Sequence, residues 1–348
     1  MTTSGTFNFT VNASDIVREM MLNVGAIGEA EVPTAQEYTD CLRKLNMLVK
    51  QWMGKQDFAP GLKMWTRQRG RLFLGAAQFK YRLGPTGDAW AGGVTGGSDG
   101  QTHNQTTTTA GAITGATSLI VSSITNINNG DYIGVVYGSP AGNTDIFWTT
   151  VNGAPTGSTV TLTNALTGPV GANAYVWNYT VKQQRPLGIV TSVLRDIYNN
   201  DVQQNPVTLE DYEALPTKTM VANTADPTAY YYESQIGTAT NLTATPTSGN
   251  GSYYIDCGGA QDVTKSLHMV FLRPVMDLNN PGDNPEYPQQ WYRALCWGGS
   301  REICGMFDAV WTEDMQQNYL ESVAMAREPD SETTTFYFQP NAGSPYDP

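Results

Sequence analysis

Basic charge is what this chain has least of. Its 348 residues hold 20 Lys and Arg against 32 Asp and Glu, a formal net charge of −12, and between Arg82 and Lys182 there is no Lys or Arg at all. Affinity for nucleic-acid phosphates depends on Lys and Arg that displace counterions, so the balance argues against a conventional DNA-binding protein. It does not argue against a conduit through which DNA slides without being gripped. Charged residues make up 15% of the chain, well below the usual quarter, which points to extensive interfaces. Histidine occurs twice, His103 and His268, and the four cysteines, Cys41, Cys257, Cys296 and Cys304, form no CxxC pair. That spacing argues against a zinc site. On a shared helix Cys296 and Cys304 would lie roughly 12 Å apart along the axis, too far for a disulfide, so buried free thiols are expected. No apolar run approaches the roughly 20 residues that span a bilayer. The start, Met1-Thr-Thr-Ser-Gly-Thr-Phe-Asn-Phe, lacks the basic and apolar regions of a secretory signal, so the chain is expected to be made in the cytoplasm.

Chemistry-bearing motifs are equally sparse. No lysine follows a glycine cluster in the pattern of a P-loop. Neither histidine sits in a motif that would activate a serine or cysteine nucleophile, and both read as structural. No cofactor is implied. Paired carboxylates such as Glu210, Asp211 and Glu213, or Glu313 and Asp314, satisfy the bare requirement of a glycosidase, yet such groups equally mark solvated helix faces.

What is present is a pattern of helices at both ends and extended chain between them. A first helix is predicted over about Ser14 to Val24, with Ile16, Val17, Met20 and Met21 at helical spacing and Gly25 as its stop. A second follows a capping box, Thr34 with Glu37, and carries Cys41, Leu42, Leu45, Leu48, Val49 and Trp52 on one face. The short connection predicts an antiparallel hairpin. From Thr66 the period becomes that of strands: Gln68 to Phe73 and Gln78 to Leu83 flank a turn at Gly75. Gly92 to Gly115, rich in Gly, Thr, Ser and Asn, reads as a linker or long loop. Short β-runs then recur over Ser118 to Val121, Tyr132 to Tyr137, Ile146 to Val151, Thr159 to Thr163 and Ala174 to Val181, separated by turn signals such as Asn128-Asn-Gly-Asp131. They predict a small barrel or sandwich inserted into the chain. Trp148, Trp177 and Tyr179 could give it a sugar-stacking face, although aromatic residues in strands more often fill a core.

Strands resume over Gly188 to Arg195, Ala229 to Ser234, Ser252 to Asp256 and Ser266 to Leu272, with a short helical turn capped by Thr208 between them. Pro288 opens a further helix, Gly298-Gly299 predicts a break in it, and a last helix is expected from about Phe307 to Ala326. The fold class is therefore α+β: a helical bundle formed from N- and C-terminal helices, a β-rich middle, and an inserted small β-barrel or β-sandwich. The corresponding segments are 1–90 for the helical hairpin and first strands, 106–180 for the insert, 181–329 for the remainder of the core, and 330–348 for an extended tail.

Charge is unevenly placed. Arg43 to Arg82 holds ten basic residues and one acid, +9, whereas Asp277 to Pro348 holds twelve acids and three arginines, −9. The two regions could pair within one subunit, or between neighbours meeting head to tail in a ring. Arg67, Arg69 and Arg71 alternate and so share one face of a strand, where they could meet a neighbouring subunit, an acidic partner or DNA phosphates.

Several segments in fixed order resemble the head-to-tail adaptor, or head-completion and packaged-DNA-stabilisation, proteins of short-tailed bacteriophages. They are Asp15-Ile-Val-Arg-Glu-Met, Val24-Gly-Ala-Ile-Gly-Glu29, Leu45-Asn-Met-Leu-Val-Lys-Gln-Trp52, Tyr81-Arg-Leu-Gly, Ile146-Phe-Trp148-Thr-Thr-Val151, Arg185-Pro-Leu-Gly-Ile189, Tyr230-Tyr-Tyr232, Pro285-Glu-Tyr-Pro-Gln-Gln-Trp291 and the tail from Glu328 to Pro340. The resemblance implies a virion neck protein without catalytic activity. It would form a dodecameric ring that docks on the portal protein, extends the channel for double-stranded DNA, retains the packaged genome, and carries the tail nozzle or tubular protein, with tail fibres as further partners. It also implies that Phe336, Tyr337 and Phe338 anchor the tail on the portal, as aromatic residues do at interfaces. A tail-associated cell-wall hydrolase and a carbohydrate-binding tail component are the alternatives from other classes.

Overall fold

The computed structural model describes residues 9–53, 64–98, 100–138, 144–220, 225–234, 249–260 and 262–328, and its class is α+β. The described helices are α1 (Ala13–Asn23), α2 (Ala35–Trp52), α3 (Leu209–Ala214), α4 (Tyr292–Ile303) and α5 (Glu313–Arg327). The chain divides into two compact units. One takes the chain up to Trp65 and again from Val275, and the other is Thr66–Pro274.

The first unit is helical because both chain ends carry amphipathic, well-capped segments. Asn12 with Asp15 and Thr34 with Glu37 form reciprocal capping boxes at the starts of α1 and α2, satisfying otherwise orphaned N–H groups. Gly25, with φ of +70°, follows α1 as expected of a helix stop. The stripes of α1 and α2 bury Ile16, Met20, Leu45, Leu48 and Trp52 against Trp291, Ala294, Leu295 and Ile303 of the C-terminal segment. Trp52, Trp65, Tyr287 and Trp291 form one aromatic cluster with centroid separations of 5.3 to 6.4 Å, within the range at which tilted rings attract. Polar contacts close the same seam. Asn46 donates to and accepts from the backbone of Leu278, and Lys50 Nζ pairs with Asp277 at 2.5 Å. The basic and acidic regions therefore meet within one chain at this point.

The Gly298-Gly299 break is not observed. α4 runs unbroken through both residues, and tertiary packing explains why it tolerates them. A Cβ on Gly298 would stand 2.8 Å from Leu48 Cδ2 and 2.9 Å from the Trp52 ring, and one on Gly299 would stand 2.5 Å from Met20 Sδ. The glycines let α4 approach α1 and α2, and that contact outweighs their poor helix propensity of about 1 kcal/mol each. The last helix also begins later than expected. Thr312 caps α5, and Cys304–Met306 forms a separate 3-10 turn.

The strands of the second unit are β1 (Arg67–Phe73), β2 (Lys80–Leu83), β3 (Trp90–Gly93), β4 (Asn104–Thr107), β5 (Ser118–Ile120), β6 (Tyr132–Tyr137), β7 (Asp145–Thr150) and β8 (Thr159–Thr161). They continue with β9 (Tyr175–Tyr179), β10 (Val181–Lys182), β11 (Gly188–Arg195), β12 (Asp201–Gln203), β13 (Asn205–Pro206), β14 (Ala229–Glu233), β15 (Gly251–Ile255) and β16 (Ser266–Leu272). A six-stranded antiparallel sheet, ordered β10-β3-β1-β16-β11-β12, and a four-stranded sheet, β13-β14-β15-β2, share a core. Leu72, Trp90, Leu267, Met269 and Phe271 supply it from the first sheet, and Tyr81, Leu83, Tyr253 and Ile255 from the second. The strands on either side of Gly75 therefore belong to different sheets rather than to one hairpin.

The insert is a four-stranded antiparallel sheet, β4-β9-β6-β7, with a two-stranded ribbon of β5 and β8. It closes over Leu119, Val121, Ile133, Val135, Val160 and Val176. The turn at Asn128 is held by Asp131, a fully buried carboxylate that accepts from Asn128 N, Asn178 Nδ2 and Thr180 Oγ1 at 2.8 to 2.9 Å. The stretch expected to be a linker is not one. Residues 92–115 include the end of β3, all of β4, and bridges from Thr108 to Val121 and from Ala112 to Val170. Its composition is that of a flexible segment, but the hydroxyls of Thr106 to Thr109 are hydrogen-bonded to other parts of the insert. Fully buried Thr108, for example, donates to the Gly171 carbonyl at 2.8 Å.

Gly298→Val is expected to destabilise the helical unit by about 1–3 kcal/mol, because overpacking against Trp52 exceeds the gain in helix propensity. Urea unfolding followed by tryptophan fluorescence measures this, and an unchanged midpoint would mean that α4 does not pack as described.

Candidate functional site

Side chains on a strand alternate between faces, and in β1 this separates core from cleft. Leu72 enters the core, and Trp90 covers Gly70 so closely that a Cβ there would meet its ring at 2.3 Å. Arg67, Arg69 and Arg71 take the opposite face, in register with Leu272, Val270 and His268 of β16. Val193 and Arg195 of β11 continue that face on the far side of β16. The 100–105 segment stands against it. Between them is a cleft of about 650 Å³, lined by Arg69, His103, Arg195 and His268 among other residues, with no carboxylate among its described lining residues.

The three arginines have different surroundings. Arg69 is exposed, Arg67 is half-buried, and Arg71 is only 5% exposed. Arg71 Nε donates to Ser266 Oγ at 2.7 Å, and Nη1 lies against the His103 ring, 3.1 Å from Nδ1 and also in contact with Nε2. Its guanidinium sits over Phe73 and Trp177, 5.1 and 6.0 Å from the ring centroids, an attractive placement for a cation on aromatic faces. Burial, with Arg195 adding repulsion, pulls its pKa down to about 9. At that value the side chain remains charged at neutral pH. Arg71 therefore serves as an internal post and does not present its charge to a partner's surface. Arg195 is held by both oxygens of Asp201 at 2.6 Å.

The fold brings together His103 and His268, which sequence separation keeps far apart, with ring centroids 6.4 Å apart. Both stay neutral. Burial first, then the charge of Arg71, lowers His103 from 6.5 to about 2 and His268 to about 3. His268 Nε2 is buried with no hydrogen-bond partner among the described residues. No sequence motif announced this pair; the only signal was a histidine on β16 with the strand periodicity of the polar face.

The other candidates fall elsewhere. Trp177 and Tyr179 are 0% and 1% exposed and pack with Phe73, Ala91 and Val136, so they are core residues and form no sugar-stacking face. Trp148 alone remains half-buried, beside Tyr132, Asp88, Asp145 and Lys182 in a smaller cleft of about 310 Å³. Of the carboxylates, Asp211 accepts from the Thr208 cap and Glu213 pairs with Lys218 at 3.4 Å. Glu313 and Asp314 occupy the exposed first turn of α5. None of these acids lines a described cleft. All four cysteines are free and buried, and burial raises Cys41 to about 11 and Cys296 to about 12. Among the described residues no group of His, Cys, Asp and Glu could hold a metal ion, and no helix is long and apolar enough to cross a membrane. Phe336, Tyr337 and Phe338 lie outside the described residues.

No family model matches the chain, and no curated protein matches it. Among solved structures, the chain is similar over 22% of its length, at 20% identity and a TM-score of 0.19, to the Gp54 tailspike of Acinetobacter baumannii bacteriophage AP22 in complex with capsular saccharide. The same values apply to the tailspike gp61 of Pseudomonas phage phi297. In each case the match spans 14% of the tailspike chain. Likenesses this limited carry no argument about fold or function.

The histidine pair makes stability depend on pH with a definite sign. Both folded-state values lie below 6.5, so the unfolded chain binds the protons. Stability is then full above 6.5 and falls on acidification, by up to about 1.4 kcal/mol per pH unit for each histidine. Urea unfolding at about pH 7 and about pH 5 should show this loss, with a shallower dependence in His268→Gln. Equal dependence in the variant would mean that His268 is not held neutral.

Proposed function

We propose that the chain is a structural head-to-tail adaptor of a short-tailed bacteriophage and acts by assembly rather than catalysis. In this reading it forms a dodecameric ring that docks on the portal, extends the DNA channel, helps retain the packaged genome and offers a platform to the tail nozzle. Its place is the neck of the virion, after assembly in the host cytoplasm.

The observation that carries the reading is the helical unit built from both ends of the chain. α1 and α2 pack with α4 in one core, and the segments that form it, Asp15 to Glu29, Leu45 to Trp52 and Pro285 to Trp291, are among those in which the sequence resembles the adaptor family. Charge supports a non-gripping conduit, since a net charge of −12 leaves little to hold DNA phosphates. The side-chain environments add to this. Arg71 is occupied internally, and the nominated carboxylates are engaged in caps and surface pairs or lie exposed on helix turns. Phe336, Tyr337 and Phe338 supply the portal anchor in this reading.

Native mass spectrometry of the protein with its cognate portal ring tests the proposal. The expected result is a monomer alone and a stoichiometric complex with the portal. A monomer in both samples would overturn it. A chain ending at Pro329 should lose most of its affinity for the ring, and full binding by that chain would remove the aromatic tail from the interface.

A further inference from the structure

The cleft on the polar face of the six-stranded sheet has a charge balance that the adaptor reading does not use. Arg71 is nine-tenths buried or more and keeps its charge, yet its partners are a hydroxyl, a neutral imidazole and two aromatic faces. A buried cation whose partners among the described residues are all neutral is costly. Arg195 offers no relief, since it adds positive charge and its own counter-ion is Asp201. Arg69 stands exposed at the mouth with no side-chain hydrogen bond or ion pair among the described residues, and His268 Nε2 is buried facing no acceptor or donor. Gln101, Gln105 and Thr191 add neutral hydrogen-bonding groups to the same wall. The volume of about 650 Å³ is far larger than a bare ion requires and falls within the range of about 300–1,000 Å³ found for small-ligand sites.

We propose that this cleft binds a small polyhydroxylated, sugar-like ligand bearing one oxyanion group, a carboxylate or a phosphate. Arg69 receives the oxyanion, and the buried charge of Arg71, with the His103 ring between them, stands behind it as a positioning charge. The amide and hydroxyl wall takes the ligand's hydroxyls. A charge-assisted contact from a guanidinium fits either oxyanion, so the chemistry is shared between the two sources. Duplex DNA fits poorly, because a concave site with one exposed arginine cannot follow a phosphate backbone. The inference stands independently of the adaptor reading.

Isothermal titration of the full chain with glucuronate, glucose 6-phosphate, inorganic phosphate and glucose tests it. One of the two anionic sugars should bind in the millimolar range or tighter, at least tenfold more tightly than glucose or inorganic phosphate, a difference set by charge-assisted hydrogen bonds. Which sugar binds identifies the oxyanion. Arg69→Ala removes an exposed side chain without disturbing the core, and should weaken binding tenfold or more. The inference is overturned if neither anionic sugar binds. It is equally overturned if glucose or phosphate binds as well as the anionic sugars, if Arg69→Ala leaves affinity unchanged, or if only a short DNA duplex binds.

Discussion

The close approach of α4 to α1 and α2 is the contact on which the helical unit depends. Gly298 lies against Leu48 and Trp52, and Gly299 against Met20. Fully buried Ser300 donates to the Met20 and Cys296 carbonyls at 3.1 and 2.8 Å while accepting from Asn23 Nδ2 at 3.2 Å. Larger residues at these positions would hold the backbones apart, and α1 and α2 would lose the surface that covers their apolar stripes. A two-helix hairpin alone leaves such stripes in water, so the N-terminal segment needs the C-terminal one before it has a core.

The β unit makes this closure possible by returning the chain to where it left. Its first and last strands are neighbours, with Arg67 of β1 opposite Leu272 of β16, and Arg273 N donates to the Thr66 carbonyl at 3.1 Å. Everything between them can vary in length without moving the two ends. The insert uses this freedom at the sheet edge. The chain leaves from β3 and returns through β9 into β10, which pairs with β3. Phe73, Ala91, Trp177 and Tyr179 pack together where insert and sheet meet. That packing buries Arg71, and burial first, then the Arg71 charge, keeps both histidines neutral.

Much of this was legible in the sequence, for identifiable reasons. The capping box at Thr34, the threonine cap at Thr208, the alternation in β11 and β16, and the turn at Asn128 are local signals, and the structure places those elements within a residue or two of expectation. Gly298-Gly299 misled because helix propensity describes an isolated helix, whereas these glycines answer to Met20, Leu48 and Trp52, partners far away in sequence. The 92–115 stretch misled because Gly, Thr and Asn serve flexible linkers and tightly paired edge strands equally well. Of the site, the shared face of Arg67, Arg69 and Arg71 was readable from period two. Its consequence was not, since the burial of Arg71 depends on Trp177 and His103, which arrive through the insert.

Native-state hydrogen exchange read by mass spectrometry tests most directly the claim that both chain ends form one cooperative helical unit. Peptides from α1, α2 and α4 should share a single opening free energy and lose protection together when Gly298→Val weakens the seam. If α1 and α2 exchanged with a lower free energy while α4 stayed protected, or if the variant loosened α4 alone, the ends would not be one unit. The proposed function would then lose its principal support.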